Sequence, residues 1–435
     1  MNKKLITLAV AAALAAPAAA MADATLYGKI NMSIDYVQTD ANAFNYGSGS
    51  VTFTPERAIP SYRSTSPTVV YPYGGRLYPL TSGQKYYGGD LNSNARKSRL
   101  GVKGSEDLGN GLKAIYQIEF GVQLTNARND DNVANGDSGS ISMRNSFVGL
   151  AGNWGTFLVG RHDTPLKMST AKLDLFQDTL ADYRWTIGFH SVRADNTIAY
   201  VSPTWAGLQF AGAIVPMGGA TALGLPNNSN TSIASGYSLA AIYSNGPFYA
   251  SLAYENFGKK NFSELNGPVF GDYLGVPGWG GAEPWSYWRA GLGLLDWNGF
   301  TLDAIYESHQ HFLGAPTQAR VNLWQVQAGY AFGNNMLKGM YGRTDPQDCV
   351  GQSYLGGGPQ GDSIMCGPMA QAISIASGNG YTPYFANNRD FSSWAVGLDH
   401  NFSKRTKAYL LYTAVDSKVP EAGWNGLSIG MIHSF

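Results

Sequence analysis

Charge and sulfur are scarce in this 435-residue chain. Asp, Glu, Lys and Arg together make up 14% of it, and there are two cysteines and six histidines. The formal charge is zero, so there is no strongly basic balance of the kind nucleic acid calls for. After the first 22 residues no run of 18 apolar residues occurs, which excludes helical membrane spans. No composition shift marks a boundary between domains, and no linker separates compact halves.

What is present is aromatic, glycine-rich and patterned. Aromatic residues reach 13%, with 26 tyrosines and 54 glycines. The first 22 residues form a targeting segment. Lys3 and Lys4 give a positive start, Leu5 to Ala16 an apolar core, and Ala20-Met21-Ala22 a small-x-small cleavage site. Cleavage after Ala22 predicts export through the general secretory pathway. It leaves one domain, 23–435, with 28 basic against 30 acidic side chains.

Side chains on a strand alternate between two faces, and this chain alternates almost throughout. Thr25 to Val37 sets Leu26, Ile30, Met32, Ile34 and Tyr36 against Lys29, Asn31, Ser33 and Asp35. The hairpin from Asn94 to Leu124 turns at Glu106-Asp107-Leu108-Gly109-Asn110-Gly111. It sets Leu100, Val102, Ala114, Tyr116, Ile118, Phe120 and Val122 against Lys97, Arg99, Lys103, Lys113, Gln117 and Glu119. Further segments follow: Ile141 to Ala151, Gly155 to His162, Arg193 to Val201, Leu208 to Val215, Gly236 to Ser244 and Phe248 to Phe257. Ser286 to Asp296, Phe300 to Ser308, Val321 to Phe332, Met336 to Arg343, Phe391 to Phe402, Lys407 to Asp416 and Trp424 to Phe435 complete sixteen.

Connections of two to six residues alternate with long polar loops, of which 38–93 and 344–390 stand out. A soluble sandwich would alternate too. Loop asymmetry and an even strand count instead predict an all-β, sixteen-stranded antiparallel transmembrane β-barrel, with short periplasmic turns and long external loops. Trp154, Trp205, Trp297, Phe300, Phe332, Phe402 and Trp424 gather at strand ends, as an interfacial girdle would use them.

The chain resembles the Gram-negative general porins, the sixteen-stranded trimeric type. The residues that carry the resemblance are Ala24-Thr25-Leu26-Tyr27-Gly28, Ser98-Arg99-Leu100-Gly101-Val102-Lys103-Gly104 with the turn after it, Phe147-Val148-Gly149-Leu150 with Val159-Gly160-Arg161, and the terminal Phe435. The resemblance implies a water-filled pore in the outer membrane of a Gram-negative bacterium, passing ions and small hydrophilic solutes passively. It implies a homotrimer, joined through the first few and last strands and the second loop. It also implies contact with outer-membrane lipid and lipopolysaccharide, and a C-terminal aromatic, Phe435, read by the barrel-insertion machinery.

The resemblance further implies that the third loop, 163–189, folds into the barrel and faces a cluster of arginines. In that loop Asp174, Asp178 and Asp182 are spaced by four, which in a short helix forms one stripe of carboxylates. Arg99, Arg161 and Arg193 match the facing cluster by position. Arg99 and Arg193 have inward phase, whereas Arg161 shares the phase of Phe157 and Val159 and needs the strand to bulge or end there. Arg144, opposite in phase to Phe147, and Lys103 are further wall cations.

The remaining chemistry-bearing residues are few. Cys349 and Cys366 share one long loop of an exported chain and are expected to pair. Cys-x-x-Cys-His is absent, which excludes c-type haem. Gly136-Asp137-Ser138-Gly139 spells the surroundings of a protease nucleophile but lies in a polar loop with no matching His and Asp motifs. Among His162, His190, His309, His311, His400 and His433, only His309 and His311 have ligand spacing, and they sit where strand gives way to loop. The expectation is no enzyme, no metal and no cofactor. Two other readings stay open, a substrate-selective channel with a tyrosine-rich first loop and a surface adhesin with a closed barrel.

Overall fold

The computed structural model describes residues 24–39, 98–122, 124, 141–216, 236–257, 285–310, 320–347, 390–417 and 424–435. It also describes the backbone of short segments at 50–52, 68–70, 77–79, 85–89, 374–377 and 380–382. The first 22 residues, Gly136 to Gly139, His311, Cys349, Cys366 and most of the loops 38–93 and 344–390 lie outside the described residues.

Sixteen long strands form the wall. They are β1 Thr25–Thr39, β2 Arg99–Gly109, β3 Leu112–Val122, β4 Ser146–Gly152, β5 Gly155–Asp163, β6 Arg193–Val201, β7 Leu208–Val215 and β8 Gly236–Asn245. They continue as β9 Phe248–Phe257, β10 Trp285–Trp297, β11 Phe300–Gln310, β12 Arg320–Phe332, β13 Asn335–Gln347, β14 Phe391–Asn401, β15 Thr406–Ser417 and β16 Trp424–Ser434. Each pairs antiparallel with its sequence neighbours, and β1 is shared at the seam. Lys29 to Thr39 pair with β16 while Thr25 to Lys29 pair with β2. Among the described residues, the barrel sheet closes on itself and leaves no edge for an alien strand to join.

Local chemistry explains the tight turns. Asn110-Gly111 and Asn298-Gly299 take the left-handed conformation, with φ of 53° and 77°, and 53° and 87°. Asn and Gly tolerate that region, and its twist matches the flanking strands. Phe435 seals the seam, because it and Gly28 exchange backbone hydrogen bonds of 3.1 Å. Its ring occupies the space that a side chain at position 28 would need.

The faces are inverted relative to a soluble protein. On β1, Asn31, Ser33 and Asp35 are buried while Ile34 is 74% exposed. Across the sheet Leu302 and Tyr306 point out and Asp303 and Glu307 in, just as Tyr330 points out and Gln325 and Gln327 in. An apolar outside on a closed sheet is a surface for hydrocarbon, since lipid offers backbone groups no partner and closure satisfies them internally. Trp154, Trp205, Trp297, Phe300, Phe332 and Phe402 are exposed at strand ends. Trp424 is the exception. It is 4% exposed and packs inward with Val37, Leu180 and Val415, so it is no part of a girdle.

The predicted segment Ile141 to Ala151 is not one strand. It breaks at Arg144-Asn145, leaving a short piece Ile141–Met143 before β4. Phe147 also has the phase opposite to that expected. Val148 and Leu150 face out, while Phe147 packs inward against Leu158, Ala199 and Ala213.

Candidate pore constriction

The residues between β5 and β6 fold into the lumen as three short turns rather than one helix. They are α1 (Pro165–Met168), a 3-10 turn at Ala171–Leu173 and α2 (Tyr183–Thr186). Thr164 caps α1, its hydroxyl accepting from Lys167 N at 3.4 Å, and Pro165 sits at the first helical position, where an N–H is not needed. The carboxylate of Asp182 caps α2, accepting from Arg184 N at 2.9 Å and, on its other oxygen, from Asp178 N at 2.9 Å.

The expected stripe of three carboxylates is therefore not formed. Short polar side chains compete with the helix for backbone groups. Asp174 accepts from Phe176 N at 3.0 Å, and Thr179 Oγ1 donates to Phe176 O. Asp178 takes a left-handed φ of 59°. It reaches β1 and β2, where Lys29 Nζ and, at 3.8 Å, Arg99 Nη1 meet its carboxylate. Asn31 Nδ2 donates to its carbonyl at 2.8 Å.

From α1 to Phe189 the loop lies on the inner faces of β8 to β16. Two apolar seats receive it. Leu173, Tyr183, Ile187 and Phe189 pack with Tyr249, Ile305, Val321 and Leu323, and Phe176, Leu180 and Ala181 pack with Met340, Ala395, Leu411 and Val415. The floor of these seats is glycine. A Cβ on Gly291 or Gly293 would stand 2.6 or 2.8 Å from Leu173, one on Gly342 2.5 Å from Ile187, and one on Gly426 2.8 Å from Leu180. Missing side chains on the wall admit the loop's leucines.

Polar anchors then hold it. Ser238 Oγ accepts from Leu166 N at 3.0 Å, Tyr249 donates to Ser169 O at 2.8 Å, and Thr344 donates to Ile187 O at 2.6 Å. Gln327 bonds Leu173 O and Leu175 N, and Lys338 Nζ donates to Leu175 O at 2.7 Å and to Asp399 at 2.9 Å.

The wall from β1 to β6 carries cations. Arg99 Nε lies 3.8 Å from Glu119, and Arg144 Nε donates to the other oxygen of that carboxylate at 2.5 Å. The phase of Arg144 on a continuous strand would be outward; the break at Arg144-Asn145 turns it in. Arg161 sits where the β5–β6 register shifts, between Gly160 and His162, so the bulge its phase required is present. It pairs with Asp195 and donates to Met143 O. Arg193 meets Asp163 at 2.9 Å and Asn145 Oδ1 at 2.6 Å. Lys103, nearer the Asn110 turn, lies over the Tyr27 ring at 5.1 Å, and the Tyr27 hydroxyl donates to Glu119 at 3.0 Å. Arg99 and Arg161 keep 29% and 30% of their side-chain surface exposed. Arg184, on the loop, is drawn down to about 10 by burial and then by the Arg193 guanidinium, so it stays charged at neutral pH.

Sequence reasoning places Lys29 and Glu119 on the inner face without giving them a role, and it does not single out Asp163, Asp195, Arg289 or Lys338. Phase alone flags Lys338, which is charged, inward and surrounded in sequence by apolar residues.

Comparison with known proteins agrees with the closed sixteen-stranded barrel. The family model described as Gram-negative porin matches residues 7–419. The chain is similar to the major outer membrane protein P.IA of Neisseria meningitidis serogroup B, with 25% identity over the whole of both chains. Its fold is similar to that of an anion-selective porin from Comamonas acidovorans, at 20% identity and a TM-score of 0.54, over 95% of this chain and 99% of that one. It is also similar to the trimer form of OmpT, an outer membrane protein of Vibrio cholerae, at 12% identity and a TM-score of 0.51, over 95% and 99%. A closed sixteen-stranded barrel with an apolar exterior, a polar lumen and a loop folded inside it thus belongs to the Gram-negative porin family, as an outer-membrane channel for passive diffusion.

Proposed function

We propose that the passage narrows between the inward loop and the β1–β6 wall, and that this zone favours small hydrophilic anions over cations. The observation that carries the reading is the charge count at the gap. Lys29, Arg99, Lys103, Arg144, Arg161 and Arg193 stand against Glu119, Asp163, Asp178 and Asp195. The loop's own Lys167, Lys172 and Arg184 offset Asp174 and Asp182 together with Asp35 on the inner face of β1, so the surplus stands. A surplus of cations on one wall of a narrow, low-dielectric passage raises the local concentration of anions. Of the three loop aspartates, Asp178 shapes the gap directly, and Asp182 acts by capping the turn that presents it. The Comamonas neighbour, itself an anion-selective porin, supports the sign.

The working unit on this reading is a homotrimer, supported by the trimer form of the Vibrio neighbour. The apolar belt meets outer-membrane lipid and lipopolysaccharide, and Phe435 is the residue the insertion machinery engages. The test is single-channel recording of the refolded mature protein in a planar bilayer under a salt gradient. Current steps in threes with an anion-directed reversal potential are expected. A cation-directed reversal refutes the preference, and folded protein without current refutes the open pore.

A further inference from the structure

One buried side chain holds both ends of the loop. Arg289, on β10, has a fully buried side chain, as has its partner Glu307 on β11. Its Nη1 donates to Leu166 O at 3.3 Å and to Thr170 Oγ1 at 3.2 Å, both on the outgoing limb of the loop. Its Nη2 donates to His190 O, on the returning limb. Its Nε donates to Glu307, whose other carboxylate oxygen accepts from His190 N at 2.7 Å and lies 2.6 Å from His309 Nε2. The Phe189 ring closes over the guanidinium at 5.7 Å. Ser238, Tyr249, Gln327, Lys338 and Thr344 each hold a single stretch.

We infer that Arg289 is the positioning residue that sets the calibre of the pore, a role resting on the diffusion-channel reading above. Four acceptors are served at once, more than the donors of a lysine. Arginine carries five donors in fixed geometry, whereas lysine carries three on one swivelling nitrogen. Because the two limbs meet at one group, losing it lets them spread at their base and leaves the arc between them to its apolar seats and single-stretch anchors. Because the guanidinium is buried behind the loop, its loss leaves the wall cations that choose the ion untouched.

The experiment compares Arg289→Lys with the parent chain, both as folded trimers verified by heat-dependent gel migration. Arg289→Lys keeps the charge beside Glu307 and gives up about two charge-assisted hydrogen bonds, ~1.5 kcal/mol each. The fraction of open time spent in substates is expected to rise about a hundredfold, the factor that sum corresponds to. The exclusion limit for neutral polyethylene glycols should move to larger sizes, and the reversal potential should stay where it was. Should that variant not assemble, Thr170→Val carries the test. It leaves the Arg289–Glu307 pair intact, removes one acceptor and is expected to give about a tenfold rise. Parent-like substates and exclusion limit in the folded variant overturn the clamp. A shift in ion preference also overturns it, since that would place Arg289 in the selecting wall. A parent chain that passes no current refutes the pore reading itself, separately from the clamp.

Discussion

The two halves of the lumen share one backbone pattern and differ in what the inward residues are for. From β8 to β16 the inner face is a buried seat of glycines, aliphatic side chains and aromatic rings, with polar and charged anchors under the loop. From β1 to β6 it is a row of guanidinium and ammonium groups, partly exposed and each set against a carboxylate or an aromatic ring. In the first half, burial makes every lost contact a matter of stability. In the second, water screens the pairs, so that removing one changes the local potential more than the fold. On the proposed reading, structure and selectivity fall to opposite walls, and substitutions on each wall should be read by different measurements.

The largest effect is expected from Lys338→Met, which keeps the volume and removes the ammonium. Asp399 is left buried with only Lys407, at 2.7 Å, to answer it among the contacts that Lys338 shared, and Leu175 O loses its donor. Breaking a buried pair costs about 3 kcal/mol or more, so the unfolding midpoint in guanidinium should fall clearly while ion preference holds. An unchanged midpoint would mean that Lys407 alone suffices. Next comes Gly291→Val, which puts a branched side chain where Leu173, Ser251 and Thr170 already crowd within 3.0 Å. Overpacking of this kind costs ~1–3 kcal/mol. The loop can yield only toward β2, so single-channel conductance should drop. A rise would show that the seat opens outward instead.

How legible each half was in the sequence follows from the same division. Strand phase is a local property, so the inverted faces, the turns at Asn110 and Asn298 and the bulge demanded by Arg161 could be read from residue order. The seat depends on which distant segment covers which wall, and two expectations failed there. Spacing alone puts Asp174, Asp178 and Asp182 on a helical stripe, and it leaves out the capping chemistry of Asp182 and Thr179. Its place at a strand end alone puts Trp424 in the girdle, whereas its phase points inward. Arg144 does face the lumen, but through a break in the chain that its phase gave no sign of. A usable signal did exist. Tyr409, Leu411 and Val415 are apolar on the inner face of β15, opposite Leu410 and Tyr412 on the outer one. A strand apolar on both faces is covered on both, and here the only available cover inside a barrel is the chain itself.

A smaller change tests whether the two walls communicate. Asp182→Ala removes the cap of α2 and the acceptor for Asp178 N, worth about 1 kcal/mol. Asp178 would then hold its left-handed turn less firmly against Lys29 and Arg99. Slightly noisier open-state current is expected with a barely altered unfolding midpoint. Parent-like noise would show that Asp178 is positioned by Asn31 and the wall cations alone.

The least effect on stability and the clearest on selectivity is expected from Arg99→Gln. Arg99 sits between Glu119 and Asp178, but each of those keeps a closer cation, Arg144 at 2.5 Å for the first and Lys29 for the second. The partly exposed pairs it loses are worth about 0–1 kcal/mol, so the unfolding midpoint should not move measurably. One positive charge nevertheless leaves the gap, and the reversal potential should shift toward cations. The shift should be large in 0.1 M salt, where screening extends over about 10 Å, and should shrink in 1 M salt, where it acts within about 3 Å. A shift independent of salt would mean that Arg99 acts by narrowing the passage rather than by its charge. A loss of stability without a shift would move it to the other wall's role, as an anchor of the loop tip.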